Sequence, residues 1–227
     1  MEHLVRNVMI IDDSKNILRE IKAYNRIFES IKEHNKIEYS IQFIPIQKYD
    51  EAINLLQHES EVFDVLLIDY DLRQSGNTEY GSDLVREIRS KINKHCKIIF
   101  YTMGDLAVVF SDRNELISLF NEGIYKFLSK DTISMSEIHH GQPELQLRVE
   151  TIIEAINSID FVQVTLERYF AEYGKIISDE RILVNNKEYT INEIISLIKR
   201  DEDTGRIYKS NLAESIIIHN IISGGQR

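Results

Sequence analysis

Residues 63–71 read FDVLLIDYD. Phe63–Ile68 is an apolar run that stops abruptly on Asp69 and Asp71. A run of that length, bounded by polar residues, reads as a strand buried on both faces. Working outward, the same pattern recurs. Residues 8–11, VMII, end on Asp12-Asp13-Ser14, and Ile98–Tyr101 closes on Thr102. Tyr125–Leu128 ends at Ser129-Lys130, and a further strand falls within 37–46. Helical spacing fills the gaps. Over 15–34, Ile17, Leu18, Ile21, Tyr24, Ile27, Phe28 and Ile31 recur on one face, with Ser14 placed to cap the segment. Further helices are expected at 49–58, at 82–92 and at 105–121, the last ended by Gly123. Strands alternating with helices of this length require crossover connections, hence a parallel sheet covered on both faces. The expected fold class is α/β, a doubly wound five-stranded parallel sheet, followed by a small mainly helical C-terminal module with a short β-hairpin.

In such sheets a site forms outside the carboxyl ends of the strands. Asp12, Asp13, Asp69, Thr102 and Lys130 all fall there. Converging carboxylates repel one another, and one of them tends to retain its proton. A hard divalent cation removes the conflict, and Mg²⁺ suits a few carboxylates plus water and a phosphate oxygen. Asp69 is then an oxygen nucleophile toward phosphorus. Phosphoryl transfer asks a protein mainly for positioning and charge neutralisation. Lys130 supplies a positive charge and Thr102 a hydroxyl. Acids at strand ends also serve as solvated turn formers, but Asp69 and Lys130 together make that the weaker reading.

The fragments VMIIDDS, VLLIDYDL, IIFYT and GIYKFLSK, in this order and each at the end of an expected strand, resemble those of bacterial response-regulator receiver domains. The resemblance spans residues 7–131. It implies a flavodoxin-like receiver fold. It implies that Asp12, Asp13, Asp69 and the backbone carbonyl of Asp71 hold Mg²⁺. Asp69 would be the phosphoacceptor, Thr102 and Lys130 would contact the phosphoryl group, and Thr102 with Phe127 would form the switch pair. The donor would be a histidine kinase or a phosphotransfer protein. Such a domain is not an enzyme on a separate substrate; it catalyses only its own phosphoryl transfer and dephosphorylation. Three departures stand out. The 56 positions from Asp13 to Asp69 and the 28 from Thr102 to Lys130 exceed the family's usual spans, and Asp131 stands where proline is usual. A cis bond there without proline would cost about 3 kcal/mol.

These residues set the expected division: a receiver over 1–131, its last helix within 143–173, and an output or dimerisation module over 132–227. In the tail, Pro143 suits a first helical turn. Leu147, Ile152, Ile153, Ile156, Ile159, Val162, Leu166, Tyr169 and Phe170 extend an apolar stripe toward Gly174. A continuous helix over 143–173 would leave part of this stripe exposed and would favour a homodimer. Asn157, Ser158 and Asp160 are the residues that could interrupt it. Ile182–Val184, Asn185-Asn186 and Glu188-Tyr189 read as a hairpin, and Thr190-Ile191-Asn192-Glu193 as a capping box. A charged turn at 201–205 precedes a last helix from about 206.

The net charge is −10, shared as −5 by residues 1–131 and −5 by residues 132–227. Neither part has the positive field of a nucleic-acid binder. The basic residues Lys199, Arg200, Arg206 and Lys209 are interleaved with Asp201, Glu202 and Asp203, as in a solvated turn. A single cysteine, Cys96, excludes an intrachain disulfide, and no apolar run suits a signal peptide or membrane span. A cytoplasmic location follows as an expectation. His139-His140 reads as a solvated loop. The leading function is a two-component response regulator. A DNA-binding effector acting through the tail, or an adaptor binding only proteins, are the alternatives. A haloacid-dehalogenase-like phosphatase would carry its DxDx[TV] pattern after the first strand, where this chain has DDSKN.

Overall fold

The computed structural model describes residues 5–57, 62–73, 78–102, 104, 106–110, 112–129, 143–159, 165–166, 168–169, 172–173, 177 and 180–224. Two compact units are present, Met1–Arg89 with Cys96–Ile159, and Ser90–His95 with Asp160–Arg227.

In the first unit, β1 (Val5–Ile11), β2 (Ser40–Ile46), β3 (Val65–Asp69), β4 (Lys97–Tyr101) and β5 (Lys126–Leu128) form one five-stranded parallel sheet, ordered β2-β1-β3-β4-β5. Pro45 lies on β2, an edge strand, where its missing N–H costs no inner ladder bond. Strand alternation divides the apolar runs between two faces. Val8, Ile10, Val65, Leu67, Ile99 and Tyr101 meet Tyr24 and Phe28 of α1 (Ile17–Asn35) and Val149, Ile152 and Ile156 of α6 (Pro143–Asn157) in one core. The intervening Met9, Leu66, Ile68 and Phe100 are buried too. The remaining helices are α2 (Tyr49–Gln57), α3 (Gly81–Glu87), α4 (Leu106–Val109) and α5 (Arg113–Asn121). This is the flavodoxin-like arrangement, a parallel sheet with flanking helices.

Three helix expectations are corrected. The 82–92 segment is α-helical only to Glu87 and continues as a π-helical turn, Ile88–Ile92. The 105–121 stretch is two helices, because Asp112 caps α5 by accepting from Asn114 N–H at 2.8 Å. The helix expected over 143–173 ends at Asn157. Ser158 closes it, its hydroxyl donating to Ala155 O at 2.8 Å. Ile152 and Ile156 are buried within this unit, so the exposed stripe that a homodimer through 143–173 requires is not present on α6. Gly123, at φ 76°, ends α5 in the left-handed region and donates to Phe120 O at 3.0 Å.

The second unit has a hairpin of β6 (Arg181–Val184) and β7 (Lys187–Thr190), then α7 (Ile191–Lys199) and α8 (Asp203–Gly224). Asn185 and Asn186 take φ of 51° and 63°, the pair of positive values that a two-residue hairpin turn needs and that asparagine tolerates. Thr190 and Glu193 form the capping box: Thr190 Oγ1 accepts from Glu193 N–H at 3.2 Å, and Thr190 N–H donates to Glu193 Oε2 at 2.7 Å. Val184, Ile191, Ile194, Ile195 and Ile198 are buried apolar side chains of this unit. No helix among the described residues is long and apolar enough to cross a membrane.

Candidate functional site: a cluster of three carboxylates

The carboxyl end of β1 delivers Asp12 and Asp13, and that of the adjacent β3 delivers Asp69. One oxygen of each comes within 4.8 Å of the others. Asp12 and Asp13 are buried, Asp69 partly so. The Asp12 turn is held from several sides. Asp12 N–H donates to Ile46 O at 3.0 Å, and Asp12 Oδ1 accepts from Ser14 N–H at 2.7 Å. Gln47 Nε2 donates to Ser14 O at 2.9 Å. The other Asp12 oxygen, Oδ2, accepts from the Tyr101 hydroxyl.

The backbone after Asp69 is equally constrained. Tyr70 N–H donates to Tyr101 O at 2.9 Å, and Gly81 N–H to Tyr70 O at 2.8 Å. A Cβ on Gly81 would stand 1.9 Å from Asp69 O, so only glycine lets α3 begin against this strand end. A cavity of about 430 Å³ opens beside the cluster, lined by Asp69, Tyr70, Arg73, Tyr80, Thr102 and Val109 among others. Thr102 is buried at its edge. Its N–H donates to Leu128 O at 3.0 Å, and its Oγ1 accepts from Gly104 N–H at 3.1 Å.

Burial is the main cause that pushes the Asp69 carboxyl up to about 7. The neighbouring Asp12 raises it further, while Arg148 and the Tyr70 N–H pull it back. The donor chemistry, three carboxylates forced together, fits a hard divalent cation, which would relieve this repulsion.

Asp71 stands apart from the cluster. Its carboxylate takes Arg73 in a two-pronged bond, from Nε at 2.8 Å and Nη2 at 2.9 Å, and Arg73 holds its carboxyl below the ordinary range. Phe127 is partly buried among aromatic rings, with centroids 5.7 Å from Phe100 and 5.9 Å from Phe110. Tyr70 joins them, 5.1 Å from Phe110. Lys130, Asp131, the bond between them and His139-His140 lie outside the described residues.

Two residues about the cluster escape sequence reading. Tyr101 precedes Thr102 and reads as one more apolar strand position, yet its hydroxyl reaches the acids. Arg148 lies in the core-facing stripe of α6 and is 5% exposed. The one available signal is a cation at an apolar position.

No protein-family model matches the sequence, and no curated protein matches it. Solved structures do. One is a response regulator receiver domain protein from Clostridium thermocellum, 21% identical, covering 67% of this chain and 94% of that one at a TM-score of 0.46. Another is the phosphorylated cyanobacterial phytochrome response regulator RcpA, 14% identical, covering 67% and 94% at 0.44. A third is the Mn²⁺-bound form of the response regulator Rcp1, 16% identical, covering 65% and 91% at 0.41.

Proposed function

We propose that this chain, on its receiver fold, is a two-component response regulator in which Asp69 accepts a phosphoryl group from a histidine kinase or a phosphotransfer protein. The observation that carries this reading is the convergence of Asp12, Asp13 and Asp69 beside Thr102 at the strand ends. Mg²⁺ would be held by these three carboxylates with the backbone carbonyl of Asp71. When bound, it supplies the positive charge that phosphoryl oxygens and crowded carboxylates both need. An ionised Asp69 oxygen attacks phosphorus while the bond to the donor's imidazole nitrogen breaks, and the product is an aspartyl phosphate. The Thr102 hydroxyl and Lys130 would bond the transferred oxygens. Thr102 and Phe127 would form the switch pair that reads the change.

The segment from Asp160, beyond the first unit, would carry the output. Residues 160–227 hold 9 Lys+Arg against 11 Asp+Glu, a net −2 with no positive field for nucleic acid, so an adaptor role is preferred to that of a DNA-binding effector. The experiment is labelling of the full-length protein by acetyl phosphate in Mg²⁺, read by intact mass. Wild type is expected to gain one phosphoryl group and Asp69→Asn none. Equal labelling of both would remove Asp69 from the mechanism.

A further inference from the structure

Arg148 is a buried cation at a core-facing position between Leu145, Val149 and Ile152. Burying a guanidinium costs several kcal/mol unless the surroundings compensate it. An aliphatic side chain would fill the same position without that cost. What Arg148 touches is therefore informative. Its Nη1 donates to the Tyr24 hydroxyl at 3.2 Å and lies 3.8 Å from Glu20 Oε2, both on α1. Its guanidinium carbon lies 4.0 Å from the centroid of the Tyr101 ring, close enough for a cation–π contact. Tyr101 is itself fully enclosed, and its hydroxyl ends on Asp12. In sheet order, β3 lies between the strand of Tyr101 and the strand of Asp12. The ring thus spans the floor beneath Asp69.

We infer that Tyr101 and Arg148 are positioning residues of the acidic site: the Tyr101 hydroxyl orients the Asp12 carboxylate for a cation, and Arg148 clamps the Tyr101 ring from α6. This inference rests on the proposed phosphoacceptor reading and adds to it. Asp12 is held on one oxygen by the Ser14 N–H and on the other by Tyr101, which leaves it one orientation toward Asp13 and Asp69. Without the hydroxyl the second hold is lost. Arg148 reaches the Asp12 carboxylate through the ring, its hydrogen bond going to Tyr24, while its charge also acts directly on Asp69. Helix α6 thereby becomes part of the site, although none of its residues lines the mouth of the cavity.

The test is a calorimetric titration of Mg²⁺ into four full-length proteins: wild type, Tyr101→Phe, Arg148→Met and the double variant. Thermal melts verify that each is folded. Tyr101→Phe is expected to weaken Mg²⁺ binding about tenfold, on the order of one lost charged hydrogen bond. Arg148→Met is expected to weaken it less than Tyr101→Phe, since losing the clamp is partly offset by removing a cation that repels Mg²⁺, and the double variant is expected to lose no more than Tyr101→Phe alone. Arg148→Lys, which keeps a cation over the ring, should recover part of the loss and serves if Arg148→Met does not fold. Unchanged or tighter binding in Tyr101→Phe overturns the inference. So does a double variant whose losses multiply, since Arg148 would then act independently of Tyr101. A wild-type protein that binds no Mg²⁺ would instead sink the phosphoacceptor reading itself.

Discussion

Asp69 works under two opposed demands. Burial and Asp12 raise its carboxyl from an ordinary 3.8 to about 7, so the folded protein holds a proton there more tightly than the unfolded chain. Stability from this group is then greatest at low pH and is lost as pH rises through that interval. Thermal melts without divalent cation, from about pH 4 to about pH 7, should show wild type losing stability relative to Asp69→Asn as pH rises. A constant difference across the range would contradict the raised carboxyl. Mg²⁺ at neutral pH should raise the melting temperature of wild type. Asp13→Ala should abolish that gain and leave cation-free stability unchanged or higher, since it removes one of three repelling charges. Undiminished Mg²⁺ affinity in Asp13→Ala would show that it is not a ligand. The glycine at 81 is a separate kind of site residue. Gly81→Ala places a methyl 1.9 Å from Asp69 O and must displace the end of β3, so slower labelling by acetyl phosphate is expected.

At the scale of elements, short-range rules and packing divide the work. The loop from β7 into α7 follows local chemistry, with positive φ at Asn185 and Asn186 before β7 and a reciprocal box at Thr190 and Glu193. Thr190→Ala should therefore cost about 1 kcal/mol of the second unit's stability, measured by denaturant unfolding. Helix α6 is the opposite case. Its place is set by what it covers, and Ile152 is fully buried against the sheet and α1. Ile152→Ala should cost the first unit about 2–5 kcal/mol, whereas a surface change on α6 should cost little.

At the scale of the molecule, the first unit continues past β5 to Ile159. A chain ending at residue 131 would lack α6 and expose the sheet face that Val149, Ile152, Ala155 and Ile156 cover. It should melt without cooperativity or aggregate, while a chain ending at Ile159 should unfold in one transition and still accept phosphate. Comparable melts of the two would show that α6 is dispensable to the fold.

The alternation of apolar runs with amphipathic stretches was enough to deduce a parallel sheet. The run ends in VMIIDD, VLLID and FYT were enough to bring Asp12, Asp13, Asp69 and Thr102 to one rim of it. Both follow from short-range periodicity and from the rule that places strand ends together, so they are written along the chain. The hairpin at Asn185-Asn186 is local in the same way. The two helices replacing 105–121 and the end of α6 at Asn157 were harder, because Asp112 and Ser158 act through single hydrogen bonds that leave the apolar spacing intact. The contacts of Tyr101 and Arg148 were not legible at all. Asp12 and Tyr101 are 89 positions apart, and Tyr24 and Arg148 are 124 apart. Periodicity assigns both Tyr101 and Arg148 to the core without saying which polar group each will meet. Only the order of strands across the sheet, and the docking of α6 on α1, bring the hydroxyl to the carboxylate and the guanidinium to the ring.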